Sequence, residues 1–392
     1  MRSIALPLAL LWLLGGCGAG SEPDREIDWG APIAIAEQGN FFVGGREVQT
    51  ESGPLYAEAM YVQYQVPAEQ TQPYPVVFIH GGGSSGSYWW STLDGREGWA
   101  TLFLRMGYPV YVVDRPAVGR SPYYAEVDGP RLAGPSGMPP ADPNLPPPPK
   151  VKEATRRVGS GEPGSPEAIQ QASGRQSALE VPFGAPVADM LRVSARADRN
   201  DQAAGAALLD RIGPAIILTH SRAGPVGWLI ADARPDLVKA VVAVEPSGPP
   251  FYNLPPIGRR GDPVARPFGI TYAPLTFEPA VRSAEDFGEL EQVAAPDEYK
   301  GPCWLPKETK HRLVNLAKVP VMVMTGGASY HAPYDYCTVT FLRNAGVSVE
   351  AMPLDEMGID GNTHGMMAES NSLELAKIVS RWLEKTLGQR GP

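Results

Sequence analysis

The chain has 392 residues, 43% of them hydrophobic and 20% charged, with a formal net charge of −9. That balance is ordinary for a folded globular chain and leaves room for one large α/β domain with insertions. No basic patch stands out, so nucleic acid is excluded as an expected partner; the acidic excess favours solubility and says little about substrate.

The first residues read as a targeting segment. Arg2 supplies a positive end, and Ile4 to Leu14 is an apolar run too short to span a membrane. Leu14-Gly15-Gly16-Cys17 then resembles a bacterial lipobox, in which the Cys is lipidated and begins the mature chain. An ordinary secretory signal cleaved near Ala19 is the alternative. The expectation is a signal over 1–17, a polar tether over 18–29 and a folded α/β domain over 30–388. The protein would be exported and would meet a membrane only through its lipid. Gly18, not Asp, follows Cys17, which in a Gram-negative cell points to the outer membrane.

Strands are expected at 31–35 and 60–66, the second alternating as a half-exposed strand does. The apolar run from Pro75 to Ile79 leads into His80-Gly81-Gly82-Gly83. Glycines there let bare N–H groups aim into a site where a negative oxygen develops. A phosphate cradle is the competing reading, but no G-K-[ST] follows. A helix is expected over 96–106, and a strand over 109–114 enters Asp114-Arg115-Pro116-Ala117-Val118-Gly119-Arg120-Ser121. That run resembles the D-x-x-G-x-G-x-S segment of many α/β-hydrolases. Residues 121–200 are rich in Pro and Gly, and 139–175 read as a poorly ordered excursion. A second insertion over 247–310 carries Phe251, Tyr252, Tyr272, Phe277 and Trp304. Its aromatic part, with Phe183 to Val193, is expected to cover the site. Further helices are expected at 203–211, 222–233, 334–345 and 371–387, and strands at 214–219, 239–245, 319–325 and 347–352. The alternation predicts an α/β fold with a mostly parallel sheet, helices on both faces and inserted lid segments.

Ser221 is the candidate nucleophile. It follows the buried run Ala215-Ile216-Ile217-Leu218 and lies between Thr219 and Ala223, at the entry to a helix. Strand, small-x-Ser-x-small and helix make a nucleophile elbow; a helix N-cap is the plainer reading. With Ser221 as nucleophile, the N–H groups of Gly82 and Arg222 become the oxyanion donors. The chain has five His. In this fold the base follows the Ser, and His364 sits in the loop after the last strand; His331 is held in reserve. His220 is expected to point away from the nucleophile, and His311 to lie on a solvated helix. For the acid, Glu245 ends the run Val241 to Val244 directly at the sheet's edge. Asp335, at the start of a helix where an acid is a good cap, is the alternative. Cys17 aside, Cys303 and Cys337 form an even pair in an oxidising compartment, and a bridge would stabilise by roughly 3–4 kcal/mol.

These segments resemble a small group of secreted bacterial esterases on the α/β-hydrolase fold whose triad acid is a Glu after strand six. The matching pieces are Asp94-Gly95-Arg96 with Gly98-Trp99, Thr219-His220-Ser221 with Gly224, Val244-Glu245-Pro246 with Gly248, and Gly361-Asn362-Thr363-His364 with Met366-Met367. Cys303 and Cys337 also match a disulfide pair of that group. The resemblance implies Ser221, Glu245 and His364 as nucleophile, acid and base. His80-Gly81-Gly82-Gly83 departs from members that carry adjacent Cys, and Arg222 stands where Gln is familiar. The expected activity is hydrolysis of a small-molecule carboxylic ester through an acyl-enzyme on Ser221, without cofactor or metal. A peptidase or acyltransferase would use the same triad, and a non-catalytic ligand-binding lipoprotein would keep only the fold.

Overall fold

The computed structural model describes residues 27–129, 152–155, 187–252 and 264–388. The signal, Cys17 and most of the tether lie outside the described residues. So do Phe183 and most of the Pro-rich excursion. The chain divides into two units, residues 1–32 and 33–392, and the sheet and its helices all belong to the second.

A long antiparallel hairpin, β1 (Ile35–Thr50) and β2 (Gly53–Pro67), opens one edge of an eight-stranded sheet. β3 (Val76–Ile79), β4 (Val110–Asp114), β5 (Ala215–His220) and β6 (Val238–Val244) follow. Two small ribbons interrupt the order: β7 (Phe277–Glu278) pairs with β10 (Arg312–Leu313), and β8 (Leu290–Val293) with β9 (Cys303–Pro306). β11 (Val321–Thr325) and β12 (Val349–Pro353) complete the sheet in the order β1-β2-β4-β3-β5-β6-β11-β12. From β4 to β12 every pairing is parallel.

The inner strands are short and almost wholly apolar because helices cover both faces. These are α1 (Trp99–Arg105), α2 (Ala125–Asp128), α3 (Val187–Ile212), α4 (Gly224–Ala233), α5 (Asp335–Asn344) and α6 (Ser372–Leu387). The period-2 alternation of strands sorts the core. Val77, Ile79, Ile217, Val241 and Val323 join one cluster with Leu208, Leu209 and Trp228. Phe78, between two of these, points to the other face and meets Trp89 and Phe103 at ring distances of 5.2 and 5.5 Å. α6 buries Leu375, Ile378, Val379, Trp382 and Leu383, the spacing of a helix with one covered face.

Three elements differ from expectation. β1 runs over 35–50, not 31–35. It is an edge strand with mostly solvated side chains, so pairing with β2, and not apolar content, defines it. α3 begins at Val187, well before 203. His311 is not on a solvated helix; its ring packs 5.5 Å from Phe287 and bonds the carbonyls of Pro279 and Asp286. Cys303 in β9 and Cys337 in α5 are joined by a disulfide across a separation of 34 residues, with Cα atoms 6.0 Å apart. Among the described residues no helix is long and apolar enough to cross a membrane.

Candidate active site

Strand register brings the site together. His220 on β5 is level with Val244 on β6, and Val244 with Met324 on β11. Ser221, Glu245 and the turn after Thr325 therefore share the sheet's C-terminal edge, where open α/β sheets hold their ligands. Ser221 has φ +53° and Glu245 φ +46°, the left-handed backbone that a sharp strand exit requires. The two elbows also pack on each other. A Cβ at Gly224 would fall 2.4 Å from Pro246 Cβ, and the Ser247 N–H donates to the Ser221 carbonyl at 2.9 Å. Gly224 therefore has no room for a side chain where the two elbows meet.

Glu245 is fully buried. Its Oε1 accepts from the Gly326 N–H at 2.9 Å, and its Oε2 accepts from the Ser329 hydroxyl at 2.6 Å and from His364 Nδ1 at 2.5 Å. Burial pushes its pKa up against these donors. Burial also pulls His364 well below the ordinary imidazole range, with the neighbouring His331 adding to the effect. His364 is held by its own loop. The buried Glu369 carboxylate accepts from the Asn362 amide at 2.6 Å, the Thr363 N–H at 2.9 Å and the Thr363 hydroxyl at 2.5 Å. Burial raises Glu369 to about 7. A Cβ at Gly326 would strike the Asn362 carbonyl at 2.4 Å, so this loop and the turn after β11 touch backbone to backbone.

A cavity of about 240 Å³ opens on Ser221 and His364. Gly82, Tyr88, Leu93, His220 and Met367 are among its walls, and among the described residues no Lys, Arg, Asp or Glu lines it. The loop of Gly81, Gly82 and Gly83 passes close to Ser221: a Cβ at Gly81 would lie 3.1 Å from Ser221 Cβ, and one at Gly82 3.5 Å from Arg222 Cβ. The Arg222 side chain turns away into an ion pair with buried Asp198 at 2.8 Å and lies over the Tyr272 ring. Asp114 braces the end of this glycine-rich loop by accepting the Gly86 N–H at 2.5 Å.

The expectations for other residues need correction. His220 does not point away: it lines the cavity, and its ring is 4.4 Å from that of His364. Its Nε2–H donates to the His364 carbonyl at 2.9 Å, and the Tyr88 hydroxyl donates to its Nδ1 at 3.2 Å. Asp335 begins α5 as expected, yet its side chain makes no helix cap. It is buried, accepting from the Thr325 hydroxyl at 2.8 Å and pairing with His331 Nδ1 at 3.1 Å. The described aromatics of 247–310 are not among the residues lining the cavity; Phe251, Phe277 and Phe287 pack edge-to-face in the core.

Ser329, Tyr330 and His331 escaped the sequence reading as a group, because only the turn after β11 carries them to Glu245 and His364. Glu245, His331 and His364 bring ligand-type atoms within 4.8 Å of one another, the one cluster among the described residues that could meet a metal. Each of the three is already engaged by the hydrogen bonds above.

Fold and site together define an α/β-hydrolase, with Ser221 on the sharp turn where β5 gives way to α4. No protein-family model matches the chain. It is 39% identical over 353 residues, 88% of its own length and 89% of the other's, to the "Probable secreted lipase phiG" of Fungal sp. (strain ATCC 74256). A solved bacterial structure described as a novel esterase superposes over 91% of this chain and 98% of its own, with a TM-score of 0.54 and 22% identity, a likeness of fold. The chain belongs to the lipase and esterase family of α/β-hydrolases.

Proposed function

We propose that the protein hydrolyses neutral carboxylic esters through an acyl-enzyme on Ser221. Ser221 attacks the ester carbonyl, and the N–H groups of Gly82 and Arg222 hold the oxyanion. His364 accepts the serine proton and returns it to the leaving alcohol. Glu245 fixes the tautomer that leaves Nε2 free to accept, and stabilises the imidazolium. Water then repeats the sequence to free the acid. The observation that carries this reading is the 2.5 Å bond between Glu245 Oε2 and His364 Nδ1, in a histidine that shares a cavity wall with Ser221. The uncharged wall favours a neutral ester over a charged peptide end.

Ser221→Ala tests the reading. Turnover of p-nitrophenyl esters should fall by roughly 10⁴-fold or more and labelling by a fluorophosphonate should vanish, with the thermal melt unchanged. Near-normal turnover in that variant would rule out the serine mechanism. Labelling of the wild type also separates a catalyst from a binding scaffold.

The fungal relative's description as secreted, together with the apolar segment before Cys17, supports export of this chain as well. Leu14 to Cys17 further supports lipidation at Cys17 and a tether outside the cytoplasm. Cys17→Ser should then lose the lipid mass and leave the membrane fraction; unchanged mass and fractionation would indicate a plain secretory signal.

A further inference from the structure

His220 is the last residue of β5 and immediately precedes Ser221, yet the mechanism above gives it no part. Its ring lies 4.4 Å from that of His364 and 6.0 Å from that of Tyr88. A backbone carbonyl only accepts, so the 2.9 Å bond to the His364 carbonyl fixes the His220 proton on Nε2. Nδ1 is then left to accept, and the Tyr88 hydroxyl fills it at 3.2 Å. Both ring nitrogens are satisfied in this one tautomer. Burial pulls the ring well below the ordinary imidazole range; positive charge on His364 or His331 pushes the same way, and Glu245 opposes them. The ring therefore stays neutral beside the base. It is also packed from the side of the glycine-rich loop, where a Cβ at Gly81 would lie 3.0 Å from Nδ1.

His364 is thus held at two ends. Glu245 takes its Nδ1–H and aims the ring, while His220 grips its backbone carbonyl. The bonds from Glu369 reach only Asn362 and Thr363, before the base in the chain. His220 reaches the base itself, and it is covalently next to Ser221. We propose that His220 is a positioning residue, whose Nε2–H ties the backbone of His364 to the strand that carries Ser221 and so fixes the distance between base and nucleophile. The inference rests on the serine reading above. No proton passes through His220: the Ser221 proton goes directly to His364 Nε2, and the tie keeps the two groups in reach of each other.

Two substitutions test this, because they divide the ring from its donor. His220→Phe keeps a ring in the cavity wall and loses the N–H. His220→Gln loses the ring and can place an amide N–H where Nε2–H stood. His220→Phe should lower kcat by about 10²-fold, the scale of a misplaced catalytic group, and His220→Gln should stay within about fivefold of wild type. KM should move less than kcat in both. A ring needed only for packing gives the reverse order, so a Phe variant as fast as the Gln variant, or faster, would overturn the proposal. Should the Phe variant fail to fold, the wild type still decides. In ¹⁵N NMR of imidazole-labelled protein, the His220 signals, assigned by their loss in His220→Gln, should show Nε2 protonated and Nδ1 bare from about pH 5 to 8. A proton on Nδ1, or titration in that range, would overturn it too. Ser221→Ala separates the two readings. Loss of fluorophosphonate labelling there keeps the serine mechanism whatever the His220 variants do, and retained turnover would bring both down.

Discussion

Two imidazole–carboxylate pairs lie face to face in this molecule, His364 with Glu245 and His331 with Asp335. Their rings are stacked 4.6 Å apart and only 9° from parallel. Each acid is buried, and each bonds its histidine through Nδ1. What separates them is access. The His364 side chain is 12% exposed and opens on the cavity beside Ser221, whereas His331 is 1% exposed and lines no part of it. The same two chemical groups, imidazole and carboxylate, are thus placed for different ends: a pair with an open edge can exchange a proton with a bound molecule, and a pair behind it can only hold position and charge. The acid bonds differ in the same sense, 2.5 Å for the open pair and 3.1 Å for the closed one.

The sharpest way to break this contrast is to neutralise each acid in turn. Glu245→Gln keeps the shape and removes the charge, and can leave His364 in the wrong tautomer. A loss of about 10⁴ in kcat is expected, the scale seen when a serine-protease aspartate is so changed. Asp335→Asn should keep kcat within about threefold and instead lower stability by about 1–3 kcal/mol, as loss of a buried charged hydrogen bond does. Steady-state kinetics with a thermal melt on both variants decides the matter, and a reversed result would exchange the roles of the two pairs. A smaller effect belongs to His331→Phe. His364 is held low first by burial and then by repulsion from His331. Removing His331 should raise the base, so the acidic limb of kcat/KM moves to higher pH and activity at low pH is lost first. A further effect, on stability alone, concerns Glu369. Its pKa rises from 4.5 to about 7 on folding, so the native state holds the extra proton between those values. The stabilisation it gives is full below about pH 4.5 and lost as the pH rises through 7. Melts at pH 5 and pH 8 should differ less in Glu369→Gln than in wild type.

Parts of the site were legible because their chemistry is local. A buried strand that ends on a small-x-Ser-x-small turn announces Ser221, and the glycines of 81–83 announce a backbone that must approach it. Glu245 was legible from its place at a strand end, and His364 from chain order. Ser329 and Tyr330 were not, and His331 was read only as a reserve base, because their partners lie on other strands and only the turn after β11 brings them there. His220 was misread by strand alternation alone, since its side chain enters a cavity that the 82–93 segment and the His364 loop create. The aromatic second insertion shows the limit of composition. Phe251, Phe277 and Phe287 look alike as a cover over a cavity or as core, and here they are core.

The Cys303–Cys337 bond fastens the β8–β9 ribbon to the helix that begins at Asp335. For anyone producing the protein, the choice of host becomes a chemical choice. Material from a reducing cytosol and material from an oxidising compartment would be two preparations of one sequence, two hydrogens apart in mass. They would present the same serine and the same cavity wall. In one of them, though, the helix that carries Asp335, the partner of His331, is tied covalently to a neighbouring ribbon, and in the other that tie is absent. A specific activity measured on one preparation therefore does not transfer to the other until the thiols have been counted.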